Sequence, residues 1–192
     1  MPVSERPWSY RWLKLQGMSM LVFGRRRAAE KVFDALLDRW PDDAYGLASR
    51  AHLRAQDGRT QLAIADAERL VAAYPERSAA DWFNLGFMRD KEGLTEAGEA
   101  AFRRALTLDP KLDRAWYGLG LTLIRQKRLE EAEKALRRNT ELQPMSPFGW
   151  YHLARVHVDR AEPEKARRVI AHLRSFEPKV AAQLERETGL VA

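Results

Sequence analysis

Between residues 113 and 144 the apolar positions recur every three or four residues. Trp116, Leu119, Gly120 and Leu123 stand at i, i+3, i+4 and i+7, which is one stripe of a 3.6-residue helix. Lys127 and Arg128 break the pattern, and Leu129, Ala132, Ala135, Leu136 and Leu142 then stripe a second helix. The preceding stretch repeats the arrangement with Trp82, Leu85 and Gly86, a turn at Gly93, and Ala101, Phe102, Ala105, Leu106 and Leu108. Each stretch therefore predicts helix, turn, helix.

The pattern has a fixed period. Trp82, Trp116 and Trp150 lie 34 residues apart, and Pro110, Pro144 and Pro178 follow at the same interval. Pro41 to Pro75 and Gly24 to Gly58 are also 34, whereas Gly58 to Gly93 and Pro75 to Pro110 are 35. One residue inserted between Pro75 and Gly93 accounts for both slips. Five repeats follow, at 10–41, 44–75, 79–110, 113–144 and 147–178, each ending in its proline. Proline stops each second helix because the residue before it is pushed out of the α region. Pro163 instead sits where the fifth repeat's second helix should begin, and proline is tolerated in a first turn.

These residues resemble the tetratricopeptide repeat, whose 34-residue signature is W-x2-L-G-x2-Y, then A-x3-F, then P. The third repeat reads Trp82, Leu85, Gly86, Gly98, Phe102, Pro110. The fourth reads Trp116, Leu119, Gly120, Leu123, Ala132, Leu136, Pro144, and the fifth Trp150, Leu153, Ala154, Ala166, Ile170, Pro178. The second is looser, with Leu47 for the tryptophan, Arg50 for the leucine, and Ala63 and Ala67 in its second helix. The first keeps Gly17, Gly24, Ala29, Phe33 and Pro41. Asn139 departs from the small apolar residue of the family, which brings close packing there into question. The resemblance implies an all-α fold: a right-handed α-solenoid of antiparallel helix pairs, a superhelix forming a single domain over residues 1–192.

Solenoid ends need a cap that is polar on its outer side. A further helix is expected at 179–190, with Val180 and Leu184 on one side, Glu185, Arg186 and Glu187 on the other, and Gly189 as its stop. At the other end, Trp8, Trp12 and Leu15 are expected to provide the cap.

Composition narrows the classes. With 45% hydrophobic residues the chain is long enough for a continuous core, and without cysteine it has no disulfide, thiolate nucleophile or cysteine-based zinc site. The longest apolar run, at 18–23 and interrupted by Ser19, is far too short for a membrane span, and no cleavage site follows it. A cytoplasmic protein is expected. The four histidines, His52, His152, His157 and His172, lack metalloprotease spacing, and no phosphate-loop motif occurs. His157 falls where the family has tyrosine and is expected to be packed and hydrogen-bonded. Acid pairs such as Asp42-Asp43 and Glu130-Glu131 fit helix starts. No catalytic residue, metal or cofactor is expected.

The net charge of +6 resides at the two ends. Residues 1–41 hold eight basic and four acidic residues, 42–112 hold ten and twelve, and 113–192 hold fifteen and eleven. Arg103-Arg104 and Arg137-Arg138 repeat at 34 along the second helices and read as solvated positions, with a phosphate-tracking ridge for nucleic acid as the alternative. Arg25-Arg26-Arg27 opens the second helix of the first repeat. Beside Trp8, Trp12 and Phe23, it is a candidate for holding residues 1–27 to an anionic membrane.

The resemblance places the functional surface on positions 2, 5, 9 and 12 of each repeat, which face the concave groove in the family. Here these are Tyr45, Ala48, His52 and Ala55; Ala80, Phe83, Phe87 and Asp90; Arg114, Tyr117, Leu121 and Ile124; and Phe148, Tyr151, Arg155 and Val158. Phe87, Leu121 and Phe148 stand where the family is usually polar, and contiguous exposed apolar surface marks binding sites. Arg114 and Arg155 are positioned to pair with acids of a guest. Asn84 and Arg114 fill two positions of the carboxylate clamp that some members use, but Ala48, His52 and Gly118 fill the other three, which argues against a clamp. The expected function is a non-enzymatic adaptor or chaperone holding a peptide or amphipathic helix of a protein partner. The bland alternative is that the stripe is covered by the chain's own ends or by a second copy. Trp116 is expected to be a buried core indole.

Overall fold

In the computed structural model, residues 7–191 are described. They form eleven helices and no strand: α1 Trp8–Val22, α2 Arg26–Arg39, α3 Ala44–Gln56, α4 Thr60–Ala73, α5 Ala79–Lys91, α6 Thr95–Leu108, α7 Asp113–Arg125, α8 Leu129–Leu142, α9 Pro147–Asp159, α10 Pro163–Arg174 and α11 Pro178–Thr188. Each expected repeat is one helix pair. The inserted residue lies in the connection 74–78, which has five residues where 40–43, 109–112 and 143–146 have four.

Within every pair the connection is three residues long, and its middle residue is left-handed. Gly24, Gly58 and Gly93 have φ of 68°, 75° and 78° there, and Lys127 and Ala161 have φ of 60° and 56°. Glycine reaches this region without strain, whereas a Cβ meets the backbone. The glycine period seen in the sequence is thus the period of a left-handed turn. The fourth and fifth repeats keep the turn without the glycine.

The chain divides into two compact units, one ending at Met88 and the other beginning at Arg89. In the N-terminal unit, Leu13, Leu36, Leu37, Leu47 and Leu70 form one core cluster with Tyr10, and Ala29, Phe33 and Leu53 form a second. Asp43 ties α1 to α3. One carboxylate oxygen accepts the Gly46 amide at 2.8 Å as the helix cap, and the other accepts the Tyr10 hydroxyl at 3.0 Å. Arg50, the departure from the family leucine, is paid for by Asp66, which is 4% exposed and accepts two of its hydrogen bonds at 2.9 and 2.6 Å. Arg54 reaches Asp66 and Glu30, and Arg50 also reaches Asp34, so an ionic layer joins α2, α3 and α4 where the third to fifth repeats bury Leu85, Leu119 and Leu153.

In the C-terminal unit the fully buried Phe102, Leu123, Leu136, Ile170, Leu173 and Leu184 form the core. Asn139 does not loosen it. Its amide donates to the Asp113 carbonyl at 2.9 Å, and it faces Gly149, where an added Cβ would stand 2.2 Å from its oxygen. The missing side chain of Gly149 makes room for the polar one. His157 is buried and hydrogen-bonded to Glu162 at 2.8 Å, as expected of a packed histidine. The closing helix ends at Gly189, left-handed at φ 70°.

Two expectations need correction. Trp116 is half-buried, as are Trp82 and Trp150, because each indole lies along the surface of its helix pair. Trp8, Trp12 and Leu15 are part of α1 itself and do not form a polar-backed cap; they face solvent.

Candidate functional site

The candidate stripe lies on the first helix of the second to fifth pairs, α3, α5, α7 and α9, where the 3.6-residue period brings positions 2, 5, 9 and 12 to one side. None of the sixteen side chains of the stripe is fully buried. In the N-terminal unit, Tyr45 is half-buried, with its ring edge-on to Phe33 at 5.8 Å and the Lys14 ammonium 4.4 Å above it. His52 is exposed and hydrogen-bonded to Gln56 at 2.8 Å. On α5, Phe83 and Phe87 stack at 6.4 Å between ring centres. Phe87 is 56% exposed, and Asn84 is exposed beside them. Phe87 thus faces water where helix packing would not require an aromatic ring, with half-buried Phe83 stacked behind it.

In the C-terminal unit, α7 presents Arg114, exposed, with Tyr117, Leu121 and Ile124 half-buried. Neighbouring α9 presents Phe148, 66% exposed, with Tyr151 and Arg155 half-buried. His152, which sequence reasoning passed over, joins the two helices. Its ring meets Tyr117 at 5.7 Å and Tyr151 at 5.2 Å, both edge-on. Burial, with the nearby Arg155 charge, holds its pKa below the usual histidine value, so the ring between the tyrosines is neutral near pH 7. Burial likewise raises the Tyr117 hydroxyl.

The distal end of this stripe is engaged by the chain itself. Tyr151 Oη donates to Glu187 Oε2 at 2.6 Å, and Arg155 donates to the same oxygen at 3.0 Å, so α11 is fastened to α9 through two residues of the stripe, one of them an arginine expected to pair with an acid of a guest. The bond from Tyr151, with those from Gln183 and Arg155, holds the Glu187 pKa below the usual carboxylate range. Leu121 and Phe148 have no such cover among the described residues. The sequence signal for Glu187 was only its place on the polar side of the closing helix.

Other polar positions are committed to structure. Asp90, on the stripe, accepts the Thr122 hydroxyl at 2.9 Å and is paired with Arg125. At the clamp position Gly118, an added Cβ would stand 2.7 Å from the Phe102 ring, so a larger residue there needs that ring to move. The ridge arginines are matched by acids: Arg103 with Glu99 and Glu131 at 2.8 Å, Arg137 with Glu133 at 2.9 Å and Arg138 with Glu141 at 2.7 Å. Glu133, His157 and Glu162 bring three ligand-type atoms within 4.8 Å of one another. The Arg160 guanidinium, bonded to Glu133 and 3.2 Å from Glu162, already supplies positive charge to both carboxylates.

The tetratricopeptide-repeat family model matches residues 15–84 and 90–147. The chain belongs to the tetratricopeptide-repeat family. No match was found among curated proteins. Similar solved structures include a MamA protein, at 17% identity and TM-score 0.81 over 94% of each chain. Another is a tetratricopeptide repeat protein from Parabacteroides merdae, at 19% and 0.83 over 95% of this chain and 75% of that one. A third is YrrB, described as a tetratricopeptide repeat protein with an unusual peptide-binding site, at 16% and 0.81 over 93% and 90%. The all-α helical-repeat fold expected from the sequence is the fold shared with these structures. Tetratricopeptide repeats are in general non-enzymatic scaffolds for protein–protein interaction.

Proposed function

We propose that this tetratricopeptide-repeat protein is a cytoplasmic adaptor that holds a peptide or amphipathic helix of a partner protein against the first-helix stripe. The observation that carries this reading is the incompletely buried apolar surface, within the C-terminal unit, of Leu121 and Ile124 on α7, both half-buried, and of Phe148 on α9, which is 66% exposed. Helix-in-groove recognition needs an apolar surface to receive the guest's anchors. The peptide-binding site of YrrB supports a similar use of the fold. Phe83, Asn84 and Phe87 offer a comparable surface on the N-terminal unit, with Tyr45 and His52 at its polar side. Arg114 is placed to meet an acidic residue of the guest. A chaperone role is the same reading with many guests in place of one.

The nucleic-acid alternative would draw on the ridge arginines, and the acids paired with Arg103, Arg137 and Arg138 reduce the charge available there. Peptides selected from a random library on the wild-type protein test the adaptor reading. Leu121→Arg and Phe148→Arg should each weaken the selected peptides at least tenfold with the melting temperature unchanged. Peptides indifferent to both substitutions would remove the reading.

A further inference from the structure

The outer face of α1 is apolar and uncovered. Trp8, Trp12, Leu15 and Val22 recur at i, i+4, i+7 and i+14, and with Phe23 beyond the helix end they are 62 to 84% exposed. The opposite face carries Tyr10, Leu13 and Gly17 into the core, so the helix is apolar on two sides. A helix of that kind is normally buried on both.

The repeat register shows what this face is not built for. Trp12 occupies the position that later repeats give to Gly46, Asp81, Ala115 and Gly149. Three of these four residues are small, and packing requires it of them. At Gly46 a Cβ would stand 2.7 Å from Leu36, at Gly149 it would stand 2.2 Å from Asn139, and Ala115 is fully buried. In this stacking mode a helix of the preceding repeat fills the space, and an indole leaves no room for it. A second copy docking as another repeat would therefore collide with Trp12.

Charge supplies the occupant. Residues 8–29 hold Arg11, Lys14, Arg25, Arg26 and Arg27 and no acid. The arginine triad is exposed, and no carboxylate among the described residues pairs with it. This contrasts with Arg103, Arg128 and Arg137, each matched to a glutamate. Two like-charged copies of this segment would repel, whereas an anionic bilayer meets both features. Tryptophan and phenylalanine settle at the headgroup boundary, where bulky rings need no shaped hole, and arginines pair with lipid phosphates above them. No helix among the described residues is long and apolar enough to cross a membrane, so contact would be peripheral. The first six residues of the 1–27 segment lie outside the described residues.

We propose that the outer face of α1, with Trp8, Trp12, Leu15, Val22 and Phe23 inserted and Arg25, Arg26 and Arg27 at the headgroups, docks this protein on anionic membrane surfaces. The face shares no residue with the peptide stripe, so the proposal stands or falls independently of the adaptor reading.

The test is co-sedimentation of the full chain with vesicles of phosphatidylcholine alone and of phosphatidylcholine mixed with phosphatidylglycerol. Wild type should sediment only with the anionic vesicles, with a blue shift of tryptophan emission, and added salt should release it. Arg25→Gln, Arg26→Gln and Arg27→Gln should each weaken partitioning roughly fivefold. The double substitution Trp8→Ser with Trp12→Ser should abolish the emission shift while far-UV dichroism is kept. Sedimentation that is absent, equal on neutral vesicles or indifferent to salt overturns the proposal. So does a lipid-free dimer that Trp12→Ser dissociates, which would assign the face to a second copy.

Discussion

The indole nitrogen of Trp116 donates a hydrogen bond to the carbonyl of Pro110 at 2.9 Å, and the same bond joins Trp150 to Pro144 at 2.9 Å and Trp82 to Pro75 at 2.8 Å. The two residue types that mark the period are therefore partners across the last three repeat junctions; at the first, where Leu47 replaces the tryptophan, the Pro41 carbonyl accepts from Arg69 at 2.8 Å instead. Proline ends one second helix and leaves its carbonyl unclaimed by that helix, and the next first helix brings tryptophan to claim it.

Trp116→Phe keeps most of the ring's packing and deletes the donor, so it should cost about 1 kcal/mol. Trp116→Ala should cost about 2 to 3 kcal/mol, below the 3 to 5 typical of a wholly buried indole, because the ring is only half-buried. Urea denaturation of both variants separates the bond from the packing. Equal losses would show that the bond contributes nothing.

Lys127 and Ala161 hold the left-handed turn position that three other repeats give to glycine. A non-glycine residue there is strained by roughly 1 to 2 kcal/mol, and glycine's extra freedom in the unfolded chain offsets about 0.5 to 1 of that. Lys127→Gly and Ala161→Gly should therefore each stabilise the protein by about 0.5 to 1 kcal/mol. Gly58→Ala should do the reverse by a similar amount. Thermal melts of the three variants check the sign.

Asp66 sits 4% exposed between Arg50 and Arg54. Asp66→Ala leaves two guanidinium groups facing only Asp34 and Glu30, and breaking a buried pair in this way should cost roughly 3 kcal/mol. Restoring the family residue by Arg50→Leu should not stabilise the protein, because Asp66 keeps its charge and loses its two-pronged partner. Chemical denaturation of both variants is the measurement, and a stabilised Arg50→Leu would refute the account of this layer.

Much of the fold was legible because two independent periods, tryptophan and proline, agreed on one register. The helix pairs, the inserted residue at 74–78 and the glycine stop at 189 follow from local chemistry, which sequence carries directly. Partners brought together from distant repeats were not legible. Arg50 looked like a defect until Asp66, in the middle of α4, was placed against it. Asn139 looked like a loosened contact because its complement is an absence, the missing Cβ of Gly149. The candidate stripe was readable as a row of positions, but Glu187 belongs to a different helix, and nothing near it in the sequence marks it as the partner of Tyr151 and Arg155.

That last contact makes the closing helix acid-sensitive. The Tyr151 hydroxyl, Gln183 and Arg155 hold the Glu187 pKa below its unfolded value, so its contribution to folding is present above about pH 4.3 and is lost as pH falls through the folded value. His152 acts with the same sign by a different route. Burial lowers its folded pKa, so the unfolded chain binds more protons below about pH 6.5, and acidification there favours unfolding. Stability should therefore decline in two stages as pH drops from neutral, the first assigned to His152 and the second shared with Glu30, Glu99, Glu131 and Glu162, which are lowered by partners of their own. His152→Gln should flatten the first stage alone. Glu187→Gln should remove part of the second and raise amide exchange in α11 already at neutral pH. Urea midpoints measured against pH, with hydrogen exchange across 178–188, decide the matter: an α11 that exchanges no faster in Glu187→Gln means the closing helix is held by Ala181 and Leu184 alone.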